Sequence, residues 1–269
     1  MKNKEKHKNT YPAIKTLESA GNFYKSSMTK GVFLLPNLLT SLSLFSGFYS
    51  IINTIAGKFY IAGWLIALSI FLDGIDGKIA RLTSTISKFG IEYDSLADLV
   101  AFGVAPAVMI YKWQTGPFGK IGLVCIFVYL LGTALRLARF NVQINSVEYR
   151  KFSGLPSTAA AGMIVFSIFF IKSLALNFNY GALMLIVMVV LGLLMISNIG
   201  YFAVKDLSVF KRKPFRQLAA LSLLIVVIAA KPVIMLFVIF FFYVFISPIL
   251  YFYINNGKIN LNSLKVLRH

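Results

Sequence analysis

The chain has 269 residues, of which 58% are hydrophobic, a mean hydropathy of +0.78 and a formal net charge of +18. A composition this apolar, with stretches of membrane-spanning length, excludes an ordinary soluble domain. The basic residues fall between apolar segments and form no single patch, which argues against nucleic-acid binding. The one cysteine, Cys125, excludes an intrachain disulfide and a cysteine-based metal site.

In chain order, residues 1–10 are Lys-rich and polar. Residues 11–31 mix apolar and charged positions and read either as an interfacial helix or as a plain polar tail. No apolar core follows the polar N-terminus closely enough to look like a cleaved signal peptide. Eight apolar segments come next, near 33–56, 60–81, 91–113, 118–140, 156–177, 180–204, 215–230 and 232–254. The last two are separated only by Ala230, Lys231 and Pro232, and form a tight hairpin or one kinked segment. The tail 255–269 is polar. The expected fold is an all-α integral membrane protein, a polytopic bundle of about eight transmembrane helices.

The Lys and Arg distribution tests this topology. With the N-terminus in the cytoplasm, only Lys58, Lys112, Lys120, Lys172 and Lys231 fall outside. The rest of the 27 Lys and Arg fall inside. The positive-inside rule thus favours eight spans with both termini cytoplasmic, and an active site facing the cytoplasm from an inner membrane.

Five of the nine acidic residues lie in one stretch, DGIDGKIARLTSTISKFGIEYDSLAD: Asp73, Asp76, Glu92, Asp94 and Asp98. Ionisable groups between membrane-length apolar runs mark a functional site by default. Asp73 and Asp76 are three apart at the end of the second span, and Asp94 and Asp98 four apart at the start of the third. Each spacing puts its pair on one helical face. A tight turn between antiparallel helices brings four carboxylates around one volume, enough for one or two hard divalent cations. Two metals suit displacement at phosphorus. Gly77, Ala80 and Gly90 are small enough to let a ligand approach, and Arg81 suits a phosphate oxygen. The only histidines, His7 and His269, are in the tails, which leaves an aspartate as the base for an alcohol. The competing reading is an ion-pair network or a divalent-cation pathway, because carboxylates line such pathways too.

Written out, the stretch is Asp73-x2-Asp76-Gly77-x2-Ala80-Arg81-x8-Gly90-x3-Asp94-x3-Asp98. It resembles the signature of the CDP-alcohol phosphotransferase family at every fixed position. The resemblance implies attack of an alcohol on the β-phosphate of a CDP-linked lipid, with release of CMP. It implies that Asp73, Asp76, Asp94 and Asp98 hold two divalent metal ions, Mn²⁺ or Mg²⁺, and that Asp98 is the catalytic base. Gly77, Ala80, Arg81 and Gly90 would line the CDP site. LLPNLLTSLSLFSGFYSI (34–51), LRLARFNV (135–142) and FSGLPSTAAA (152–161) look like the phosphatidylserine synthase subgroup, which often has proline where Thr158 stands here. That implies CDP-diacylglycerol and L-serine as substrates, Asn37 and Thr40 near the nucleotide, and a homodimer. Another acceptor, such as glycerol 3-phosphate or inositol phosphate, would keep the same chemistry.

Arg136, Arg139, Asn141 and Lys151 are candidates for serine or phosphate binding. The plain alternative makes the basic ones positive-inside anchors, which is the reading preferred for KRKPFR (211–216). Glu92 reads as solvated or functional. The family core covers 33–204, preceded by the tail 1–32 and followed by a two-helix extension, 205–254, and the tail 255–269.

Overall fold

A computed structural model describes residues 35–82, 87–113, 116–144, 154–174, 179–201 and 230–255. Helix α1 runs Leu35–Ile55, α2 Phe59–Leu82, and α3 Lys88–Trp113. A 3₁₀ turn, Gly116–Phe118, leads into α4, Gly119–Ile144. Then come α5 (Ser157–Ser173), α6 (Gly181–Ile196) and α7 (Pro232–Asn255).

Five helices are long and apolar enough to cross a membrane: α1, α2, α3, the helix ending in α4, and α7. Helices α5 and α6 are apolar and shorter. The chain is therefore an integral membrane protein with an all-helical architecture among the described residues. The expected seventh segment, 215–230, lies almost entirely outside the described residues, as does the KRKPFR run. Helix α6 ends at Ile196, short of the expected 204, where the backbone of Ser197 turns extended. The loop before α5 docks there: the Leu155 N–H donates to the Leu194 carbonyl at 3.0 Å, and the Gly154 N–H to Ile199 at 2.9 Å. Gly154 sits at φ 90°, a conformation natural to glycine.

Helix α5 is the central element. From Ala159 to Phe169 every side chain is buried. A helix apolar on all sides needs neighbours on all sides. Helix α2 packs on it through Gly63, which faces Phe169 and Val165. Helix α7 packs on it by ring stacking, Phe170 on Phe237 at 4.4 Å and Phe166 on Phe240 at 5.6 Å between centroids. Helices α4 and α6 meet at two glycines. A Cβ on Gly132 would stand 2.6 Å from the Gly192 carbonyl oxygen, and one on Gly192 2.8 Å from that of Val128.

Helices α1 and α2 are joined by hydroxyls. Ser50 donates to the Ala62 carbonyl at 2.8 Å and Ser46 to Leu65 at 2.7 Å. The hydroxyls of Ser43 and Ser69 lie 2.6 Å apart. The numbers rise on one helix as they fall on the other, so the pair is antiparallel. This seam points toward the acidic end of α2.

Helix α3 changes pitch directly after Asp98. Residues Leu99–Val104 are π-helical. Pro106 has no N–H to donate to Phe102, four residues back. The buried Tyr129 hydroxyl of α4 donates to that carbonyl instead, at 2.6 Å. Single-turn π segments inside α-helices recur at functional sites.

Candidate functional site

The site is built from the facing ends of α2 and α3. Helix α2 stays helical through both aspartates to Leu82, and α3 restarts at Lys88 under a Ser87 cap. The Ser87 hydroxyl accepts from the Gly90 N–H at 3.0 Å, satisfying a donor the helix cannot. The antiparallel return brings the two acidic faces together, as the i,i+3 and i,i+4 spacings require.

One carboxylate oxygen each from Asp73, Asp76 and Asp94 lies within 4.8 Å of the others. Asp76 is 4% exposed, while Asp73 and Asp94 are half-buried. Asp98, one turn on from Asp94, stands outside this group of three but within electrostatic reach of Asp73, Asp94 and Asp76. Four carboxyl groups from two helices thus converge. Like charges at this spacing repel strongly in a low-dielectric setting unless a cation lies between them. An all-oxygen donor set fits a hard divalent ion such as Mg²⁺ or Mn²⁺.

Helix α1 closes one side. The Thr40 hydroxyl, 5% exposed, lies 3.1 Å from Asp76 Oδ2 and 3.1 Å from the Pro36 carbonyl. Asn37 approaches the start of α3: a Cβ on Gly90 would stand 3.4 Å from its Oδ1 and 3.1 Å from Ser87 Oγ. Gly90 is therefore small where Asn37 of α1 reaches the start of α3; the tightest approach of these two helices is deeper, where a Cβ on Gly47 would stand 2.6 Å from the Ala101 Cα. Gly77 and Ala80 lie in the turn of α2 beyond Asp76, Gly77 exposed and Ala80 half-buried. Arg81 is in the last turn of α2, and its side chain lies outside the described residues.

The basic candidates divide. Arg136 turns into the bundle. Its Nη1 donates to the Ser157 hydroxyl at 3.1 Å, and Asp98, Tyr243 and Asp73 lie within electrostatic reach of its guanidinium. Arg139 instead holds the end of α6, donating to Asn198 Oδ1 at 2.7 Å and to the Ile196 carbonyl at 3.4 Å. A cation at a helix C-terminus complements the dipole there. Asn141 is engaged between helices: its Oδ1 accepts from Ser95 at 3.0 Å and its Nδ2 donates to Glu92 at 2.9 Å. Glu92, read from sequence as solvated or functional, thus ties α3 to α4. Lys151 lies outside the described residues.

Three contributors were not singled out by sequence reasoning. Ser157 stood inside the quoted FSGLPSTAAA run, where any of several small residues fit. Tyr93 stacks on Phe89 one turn back in α3 at 5.8 Å and meets Ser41 of α1 at 2.8 Å, the latter a contact between helices that spacing along one chain cannot show. Tyr243 is one aromatic among many in α7, so nothing local distinguished it.

A sequence model described as CDP-alcohol phosphatidyltransferase matches residues 33–195. A Helicobacter pylori protein (strain ATCC 700392 / 26695) named CDP-diacylglycerol–serine O-phosphatidyltransferase is 44% identical over 171 residues, covering 63% of this chain and 72% of that one. A Methanocaldococcus jannaschii protein of the same name is 38% identical over 159 residues, with 58% and 72% covered. An archaetidylserine synthase of Methanothermobacter thermautotrophicus is 37% identical over 169 residues, with 62% and 69% covered. All three are proteins this chain is similar to. Helix α7 lies beyond the residues matched by the family.

Proposed function

The chain belongs to the CDP-alcohol phosphatidyltransferase family, and from that premise we propose that it transfers the phosphatidyl group of CDP-diacylglycerol to the hydroxyl of L-serine, giving phosphatidylserine and CMP. The observation that carries the reading is the meeting of Asp73, Asp76 and Asp94 within 4.8 Å, with Asp98 beside them. The choice of serine is supported by the names of the relatives, two of which also name CDP-diacylglycerol.

The four aspartates are the residues that hold divalent metal, a pair of ions in this reading, Mn²⁺ or Mg²⁺. When bound, such ions neutralise the diphosphate and the charge that develops on departing CMP. Thr40 holds Asp76 in place from α1. Asn37, Gly77, Ala80, Arg81 and Gly90 line the CDP moiety. Asp98 accepts the proton of the serine hydroxyl as its oxygen bonds to the β-phosphorus and the bond from that phosphorus to the CMP oxygen breaks. Arg136 faces the acceptor. Arg139 and Asn141 act as braces between helices, since their hydrogen bonds are taken up by protein partners.

The site opens to the cytoplasm in this reading, supported by the positive-inside distribution. The residues beyond the family match form an extension to the core, and a homodimer is expected.

The test is CMP release from CDP-diacylglycerol by purified protein with Mn²⁺, with serine, glycerol 3-phosphate, inositol phosphate or water offered separately. Serine-dependent release with phosphatidylserine formed is the expected result. Release with another acceptor alone would overturn the substrate, and release with none would overturn the reaction. An Asp98→Asn variant that keeps its turnover would remove the base assignment.

A further inference from the structure

Arg136 is placed against the grain of ordinary helix electrostatics. Its Nη1 donates to Ser157, the first residue of α5, at 3.1 Å. The N-terminus of a helix carries partial positive charge, so a guanidinium there calls for anions nearby; Asp98 and Asp73 supply charge from one side but no hydrogen bond to Nε. The N-cap position is Pro156, which makes no side-chain cap, so the first N–H groups of this 17-residue helix have no side-chain acceptor from it. Arg136 Nε is buried and, among the described residues, has no hydrogen-bond partner. Burying a guanidinium donor without an acceptor is costly. A third group comes from α7. Tyr243 lies within electrostatic reach of Arg136. Its ring lies 5.9 Å from that of Tyr201, whose hydroxyl donates to the Val244 carbonyl at 3.2 Å. Helices α4, α5 and α7 therefore bring Arg136, Ser157 and Tyr243 into one neighbourhood near Asp98.

We infer that Arg136, the open N-terminus of α5 at Ser157 and Tyr243 of α7 form a subsite for a compact anion, the carboxylate of the acceptor. This deepens the proposed reaction and rests on it. A guanidinium paired with helix N–H groups matches a carboxylate in charge and in shape. The subsite adjoins Asp98, so an amino acid held by its carboxylate presents its hydroxyl to the base. Tyr243 lies outside the residues matched by the family, so the acceptor side of the site is completed by a helix outside the matched core. A phosphate of the lipid substrate offers the same anionic chemistry, and the two sources are separable by kinetics.

The experiment measures KM for serine and KM for CDP-diacylglycerol in the wild-type protein and in the Arg136→Gln and Tyr243→Phe variants, with a melting temperature in detergent as the control for folding. The expected result for Arg136→Gln is a serine KM raised about 10- to 100-fold, the size of a lost charge-assisted hydrogen bond, with KM for CDP-diacylglycerol within about two-fold. Tyr243→Phe keeps the ring against Tyr201 and removes only the hydroxyl. Its serine KM rises about three- to ten-fold. If Arg136→Gln does not fold, Tyr243→Phe decides alone. A rise confined to CDP-diacylglycerol would assign the subsite to the lipid phosphate and overturn the inference, as would equal rises for both substrates or none. Wild-type protein that forms no phosphatidylserine would overturn the underlying reaction, a result distinct from each of these.

Discussion

Two helix pairs solve one problem in different ways. Helices α4 and α6 approach through Gly132 and Gly192, with no side chain between their backbones. Helices α1 and α2 are instead bridged by the hydroxyls of Ser43, Ser46, Ser50 and Ser69. In a lipid solvent, apolar burial gives little drive for helices to associate, so close van der Waals contact and interhelical hydrogen bonds take over. The glycine seam is a purely mechanical contact. The hydroxyl seam does something more: its last member, Thr40, reaches Asp76 of the acidic cluster. One seam holds the bundle, and the other holds the bundle and aims a carboxylate.

This contrast sets the expected effects of breaking each seam. Asp76→Asn, at the site end of the hydroxyl seam, lowers turnover by about 10²–10³-fold or more while leaving the melting temperature in detergent close to wild type. Unchanged turnover would remove Asp76 from the proposed metal site. Gly192→Val does the reverse. Its side chain meets backbone at 2.8 Å, which neither helix can yield cheaply, and it destabilises by about 3 kcal/mol. Thermal unfolding checks this, and a wild-type melting temperature would show that the two helices yield at this contact without cost.

Thr40→Val lies between the two. It keeps the shape of the side chain and removes the hydrogen bond to Asp76; on the metal role proposed for Asp76, it raises the divalent-ion concentration needed for half-maximal turnover about 10- to 100-fold. A metal titration of activity reads it. Ser43→Ala is the mildest, costing about 0.6 kcal/mol, the average for an interhelical hydrogen bond in a membrane bundle. A larger loss of activity than of stability would show that the whole seam, and not Thr40 alone, transmits to the site.

The acidic site was legible in the sequence because its information is local. Asp73 and Asp76 share one helical face by spacing, as do Asp94 and Asp98, and only a short connection separates the pairs. The fold class was legible too, since a membrane leaves few architectures for runs of apolar residues. The fates of the basic residues were not. Arg136, Arg139 and Asn141 stand within six positions on one helix, yet Arg136 meets Ser157, Arg139 meets the end of α6, and Asn141 joins Ser95 to Glu92. Those partners are distant along the chain, and no periodicity names them.

The sequence by itself determined that this is a helical membrane protein with a carboxylate cluster between its second and third spans. Hydropathy, charge distribution and helical spacing act over a few residues and leave a readable trace. The tertiary structure alone decided that Thr40 supports Asp76, that Tyr129 takes the Phe102 carbonyl left by Pro106, and that Tyr243 comes within reach of Arg136. Each of these depends on which helix faces which and at what rotation. That is set by the packing of every neighbour at once around α5.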